Sequence, residues 1–132
     1  MSAATPRVLV VDDDVTILRM YDEILSREGY QVVTAASCAD AIRTMDAIKG
    51  DVDVMLVDLG LPDGDGAELA RTLASKHGTK PTMYVSGWTD EFWQLNEAPG
   101  RWLIIPKPVP LRKLVAAVRW LERGGDKPPE LA

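Results

Sequence analysis

Residues 7–14 read Arg7-Val8-Leu9-Val10-Val11-Asp12-Asp13-Asp14. The unbroken apolar run after Arg7 predicts a strand covered on both faces, and it ends abruptly in carboxylates. The same pattern recurs along the chain. Val52 to Val57 runs into Asp58, Met83-Tyr84-Val85 into Ser86, and Trp102 to Ile105 into Pro106-Lys107-Pro108. In an open parallel sheet, the ends of neighbouring strands lie side by side, and the ligand crevice lies outside their carboxyl ends. Carboxylates, a hydroxyl and an ammonium distant in sequence could therefore converge on one small site. Clustered carboxylates suit a hard divalent cation, and Mg²⁺ is usually held by one or two of them plus phosphate oxygens. A hydroxyl and a lysine opposite that cation suit a phosphoryl group.

Outward from this first strand, strand and helix patterns alternate five times with short connections, which is the signature of a parallel α/β domain. Asp14 is placed to cap a helix whose apolar face is Ile17, Leu18, Tyr21, Ile24 and Leu25. Gly29 stops it, and Tyr30 to Ala35 reads as strand two. Ser37 and Asp40 have the spacing of a capping box, with Asp in place of Glu or Gln. Ala41, Ile42, Met45 and Ile48 follow as a buried stripe. The segment Leu59 to Gly66, rich in Gly, Asp and Pro, predicts a loop. Glu68 to Lys76 predicts helix three, Thr82 to Val85 strand four and Thr89 to Asn96 a short helix. Trp102 to Ile105 is strand five, Leu111 to Glu122 the last helix, and residues 124–132 a flexible Gly/Pro-rich tail.

A length of 132 residues fits one domain, and a hydrophobic content of 46% can fill its core. The net charge of −5 argues against a nucleic-acid-binding surface. Cys38 is the only cysteine, so no internal disulfide forms, and a reduced, cytoplasmic setting is expected. No apolar signal segment precedes the first strand, and no run approaches membrane-spanning length. Met1 lies close to strand one, as at a natural start. Gly124-Gly125 and Pro128-Pro129 fit either a natural end or a clipped linker.

Four segments in order, VLVVDDD (8–14), LVDLGLPDGDG (56–66), YVSG (84–87) and PKP (106–108), resemble the receiver domain of two-component response regulators. The resemblance covers about residues 7–123 and is closest to single-domain, chemotaxis-regulator-like receivers. It implies a flavodoxin-like, doubly wound sheet of five parallel strands in the order 2-1-3-4-5, with helices on both faces. It also implies roles. Asp58 is the phospho-acceptor, attacking a phosphohistidine as a carboxylate nucleophile. Asp13 is a direct Mg²⁺ ligand and Asp12 a ligand through water, with Asp58 and the backbone carbonyl of Gly60 completing the metal site. Lys107 pairs with Asp58 and then with the phosphoryl oxygens, and Ser86 is the switch hydroxyl. The family's cis bond after the lysine is permitted here by Pro108. The donor is a sensor histidine kinase or a phosphotransfer protein. The target is an unidentified protein that binds the face of the fourth helix, fifth strand and last helix. The domain is then a signalling module and not an enzyme, a monomer or a weak phosphorylation-dependent dimer, with neither nucleic-acid binding nor membrane insertion. It is either free-standing or cut from a larger protein.

There are departures from the family pattern. Ile104 stands where the family often carries Tyr or Phe, Gly60 offers the phosphoryl group no side chain, and Trp88 is large. Trp88 is expected to lie over phosphorylated Asp58 and slow its hydrolysis. Trp88, Phe92, Trp93, Trp102 and Trp120 divide between core and a partner surface. Asp63 and Asp65 read as turn residues, since LPDGDG lacks the full EF-hand pattern, and His77 as a solvated or dipole-compensating residue at a helix end. Two other readings stand beside this one. One is a phosphorylation-independent interaction module on the same fold. The other is a haloacid-dehalogenase-type phosphatase using Asp12 as nucleophile. That chemistry needs a further acidic pair at a strand end, and after Lys107 the chain offers only Glu122, Asp126 and Glu130.

Overall fold

The computed structural model describes residues 5–87 and 98–131. Five parallel strands form the sheet: β1 (Arg7–Val11), β2 (Gln31–Ala35), β3 (Val54–Asp58), β6 (Thr82–Ser86) and β7 (Trp102–Pro106). Their order is β2-β1-β3-β6-β7, which is the expected 2-1-3-4-5 counted over the strands of this sheet. Helices α1 (Val15–Arg27) and α4 (Leu111–Arg123) cover one face. Helices α2 (Cys38–Ala47) and α3 (Gly66–His77) cover the other. The helix expected at 89–96 lies outside the described residues.

Two buried faces explain why the strands read as unbroken apolar runs. Val8, Val10, Val54 and Leu56 point into one core beside Leu18, Tyr21, Leu25, Leu114 and Val118. Their neighbours Leu9, Val11, Met55 and Val57 point into the other, beside Ala41, Met45, Leu69 and Leu73. Alternate side chains of a strand face opposite ways, so the inner strands β1 and β3, covered by helices on both faces, have no polar position mid-strand.

Short polar side chains fix the helix starts. Asp14 Oδ1 accepts from the N–H groups of Thr16 (2.9 Å) and Ile17 (3.3 Å), the expected cap of α1. Ser37 Oγ accepts from Asp40 N–H at 3.1 Å, and Asp40 Oδ2 accepts from Ala36 N–H at 3.0 Å. The box at α2 is therefore closed one residue outside its usual place, with Asp40 bonding Ala36 instead of Ser37. Asp65 Oδ1 accepts from Glu68 N–H at 2.6 Å and caps α3. That helix begins at Gly66, two residues before the expected Glu68.

Three expectations are modified by tertiary contacts. The 59–66 loop contains a tight antiparallel hairpin, β4 (Gly60–Leu61) against β5 (Gly64–Asp65), with Leu61 buried. Strands of two residues are too short to show a period in sequence. His77 is not a solvated helix end. Its Nε2 lies 2.9 Å from Asp46 Oδ1 on α2. Its side chain packs so close to Gly50 that a Cβ there would fall 2.6 Å from His77 Cβ and 2.8 Å from the ring. The segment after α4 ends in a 3-10 turn (Pro129–Leu131), and Leu131 packs against the α1/α4 core. Among the described residues no helix is long and apolar enough to cross a membrane.

Candidate functional site

The strand register delivers the site. Val11 pairs with Val57, Asp58 with Val85, and Ser86 with Pro106. Asp12, Asp58, Ser86 and Lys107 therefore fall at one edge of the sheet. Backbone bonds carry the ladder past the strand ends and hold the turns rigid. Asp12 N–H donates to Ala35 O (3.1 Å), Leu59 N–H to Val85 O (2.9 Å) and Lys107 N–H to Ser86 O (2.8 Å). Gly66, the first residue of α3, presses against β3, and a Cβ there would lie 2.3 Å from the Asp58 carbonyl oxygen.

Asp12, Asp13 and Asp58 each bring a carboxylate oxygen to within 4.8 Å of the others. Asp12 and Asp58 are buried, while Asp13 is exposed. Lys107 Nζ reaches Asp58 Oδ2 at 2.8 Å and Asp12 Oδ2 at 3.3 Å. Asp58 Oδ1 accepts from Gly60 N–H at 3.0 Å, which ties hairpin β4–β5 to the acidic residue. Asp12 Oδ1 accepts from Asp14 N–H at 2.9 Å. Ser86 is buried at the end of β6. The Lys107–Pro108 bond is cis.

Three carboxylates share one ammonium, and the electrostatics show the imbalance. Burial pushes the Asp12 pKa up, with the negative charge of Asp58 adding to the rise. The Asp14 N–H bond and the ammonium of Lys107 oppose it. Burial would depress the Lys107 pKa, but its bond to Asp58 and the charges of Asp58 and Asp12 outweigh this and raise it. Asp12 Oδ2 is buried, and it meets the Lys107 ammonium at 3.3 Å without the geometry of a hydrogen bond. A buried charged oxygen so weakly paired is costly. An all-oxygen donor set around such an atom fits a hard divalent cation.

The remaining expected residues divide. Ile104 is half-buried and packs on the α2/α3 core, opposite Tyr84 in the β6–β7 register. Tyr84 is fully buried edge-on to Trp102, with ring centroids 6.0 Å apart. The bulky aromatic at this level thus sits on β6, a placement the sequence pattern alone does not single out. Trp88, Phe92 and Trp93 lie outside the described residues. Trp120 is half-buried between the cations of Arg101 and Lys127, each 5.4 Å from its ring. Glu122 belongs to α4, and Asp126 and Glu130 to the segment after it. Among the described residues none of the three joins the acidic cluster. Asp63 has a function that sequence reading missed: its carboxylate accepts from the N–H groups of Cys38 (2.8 Å) and Ala39 (3.0 Å), across the gap to α2.

A parallel sheet with an acidic pocket and a lysine at its carboxyl edge defines a signalling receiver. Residues 8–119 match the response regulator receiver domain, and the chain belongs to that family. It is 31% identical over 113 residues to the sensor kinase CckA of Brucella abortus (strain 2308), covering 85% of this chain and 12% of that protein. It is 28% identical over 117 residues to the transcriptional regulatory protein CpxR of Escherichia coli (strain K12), covering 89% and 49%. Similarity to PrrA of Mycobacterium tuberculosis (strain ATCC 25618 / H37Rv) is 32% over 122 residues, covering 90% and 51%. The chain therefore spans about half the length of these curated relatives, or far less. Among solved structures, a CheY-like receiver domain protein from Methanospirillum hungatei JF-1 superposes with a TM-score of 0.79 at 28% identity, covering 88% of this chain and 92% of that one. The receiver domain of the hybrid histidine kinase CckA gives 0.75 at 25%, covering 89% and 99%.

Proposed function

We propose that Asp58 is the phospho-acceptor of a two-component signalling pathway in the cytoplasm, with Mg²⁺ as the required cation. The observation that carries this reading is the grip of Lys107 on Asp58 and Asp12 at the edge of the Asp12–Asp13–Asp58 cluster. A carboxylate oxygen of Asp58 attacks the phosphorus of a phosphohistidine on a kinase or phosphotransfer protein. The new O–P bond forms as the P–N bond breaks, and the imidazole leaves. Phosphoryl transfer passes through a loose transition state, so the protein supplies mainly alignment and charge neutralisation. Lys107 is placed to follow the charge from the Asp58 carboxylate onto the phosphoryl oxygens, and the Ser86 hydroxyl to bond one of them. Asp12, Asp13, Asp58 and the Gly60 carbonyl would hold the cation, which neutralises charge on the transferred group. Phosphorylation then switches binding of a partner at the face built on β7 and α4.

The test is intact mass after incubation with acetyl phosphate. Wild type gains one phosphoryl group only when Mg²⁺ is present, and Asp58→Ala gains none. A wild-type protein that never gains mass, and whose tryptophan fluorescence ignores Mg²⁺, would refute the phospho-switch and leave a phosphorylation-independent interaction module.

A further inference from the structure

The hairpin that carries Gly60 is tied down at its tip by a side chain that has no place in the chemistry above. Asp63 sits between β4 and β5, and its two oxygens take the N–H groups of Cys38 and Ala39, the first two residues of α2. Ser37 takes the third, that of Asp40. The donors at the start of α2 are thus filled jointly by its own cap and by a carboxylate from 24 to 25 positions away. A negative group is favoured there by the helix dipole. The two backbone bonds hold the Asp63 pKa below its ordinary value. The tip is also close-packed: a Cβ on Gly64 would lie 3.3 Å from Cys38 Sγ. At the other end of the same hairpin, Gly60 N–H is bonded to Asp58 and Gly60 pairs with Asp65, the cap of α3. The hairpin is therefore stretched between the acceptor and the start of α2.

We infer that Asp63 is a positioning residue for the cation site: by clamping the hairpin tip to α2 it holds the Gly60 carbonyl in place for the metal. The inference rests on the reading of Asp12, Asp13, Asp58 and Gly60 as the metal site. Coupling between two contacts is reciprocal. If the clamp favours the cation, the cation must favour the clamp. The only cysteine of the chain lies under the hairpin tip and reports on it.

The experiment uses the intact protein and MgCl₂. Calorimetric titration gives the Mg²⁺ affinity of wild type, Asp63→Ala and Asp63→Asn. Asp63→Asn keeps the side-chain size should Asp63→Ala not fold. The expected result is a loss of at least about fivefold in both variants, the lower end of ordinary coupling. In wild type, saturating Mg²⁺ should also slow modification of Cys38 by a disulfide reagent, and that protection should shrink in the variants. Wild-type Mg²⁺ affinity in the variants, even with a lowered melting temperature, would make Asp63 a helix cap only and overturn the inference. So would Cys38 reactivity in wild type that ignores Mg²⁺. A wild-type protein that binds no Mg²⁺ at all would instead remove the metal site itself.

Discussion

Asp12 holds its proton more tightly in the folded protein than in the unfolded chain, because burial raises its pKa above the ordinary 3.8. Its ionisation therefore works against folding, a loss that sets in as pH rises from 3.8 through the raised value. A cation competes for the same carboxylate as the proton. Mg²⁺ affinity should be full above the raised pKa and should fall as pH drops through it. Calorimetric titrations at descending pH measure this; an affinity independent of pH between neutrality and 3.8 would contradict it. Asp12, Asp13, Asp58 and Lys107 were legible in the sequence because each ends, or directly follows, an apolar run that reads as a strand. Asp63 and His77 were not. Their partners on α2 are 24 to 31 positions away, and no local pattern distinguishes a turn aspartate from one that caps another helix.

At the scale of elements, the junction of β3 and α3 has the least room. Gly66 starts a helix while touching the backbone of Asp58 and Val57 Cγ1. An added methyl group has nowhere to go, since the nearest atom is a carbonyl oxygen of the sheet. Gly66→Ala should destabilise the protein by about 1–3 kcal/mol, the usual cost of overpacking. Urea unfolding would show it as a lower midpoint with an unchanged slope, and wild-type stability would show that α3 can pivot away. The strands and helices here were readable from sequence because the apolar period changes with the element. The hairpin of β4 and β5 was not, since its pairing depends on Leu61 being buried beneath it, a tertiary fact.

Across the whole molecule, the parallel topology gathers like charges at one rim. Two unit charges 4.8 Å apart, the bound on the separations here, repel by about 3 kcal/mol at an effective dielectric near 20 before solvent screening. Without a metal ion, the Lys107 ammonium offsets only part of that repulsion in the folded state. Asp13 is exposed, so replacing it costs little packing. Asp13→Asn should raise the metal-free melting temperature by about 4 °C, equivalent to roughly 1 kcal/mol. Mg²⁺ should stabilise wild type more than the variant, because the stability added by a ligand rises with the logarithm of its affinity. Thermal melts with and without MgCl₂ test both statements, and a variant less stable than wild type in EDTA would refute the first.

Strand β7 lies at the margin of the sheet and pairs with β6 alone. Lys107 immediately follows it, and α4 begins at Leu111. In mechanical terms the ammonium is mounted on a cantilever, fixed along one side and free of ladder bonds on the other. Its root is the bond from Lys107 N–H to Ser86 O. When the charge that Lys107 grips grows or shifts, the free margin can flex without unzipping a second strand. A deflection there would meet the start of a helix four residues on, at Leu111. The inner strands β1, β3 and β6 are by contrast paired on both sides.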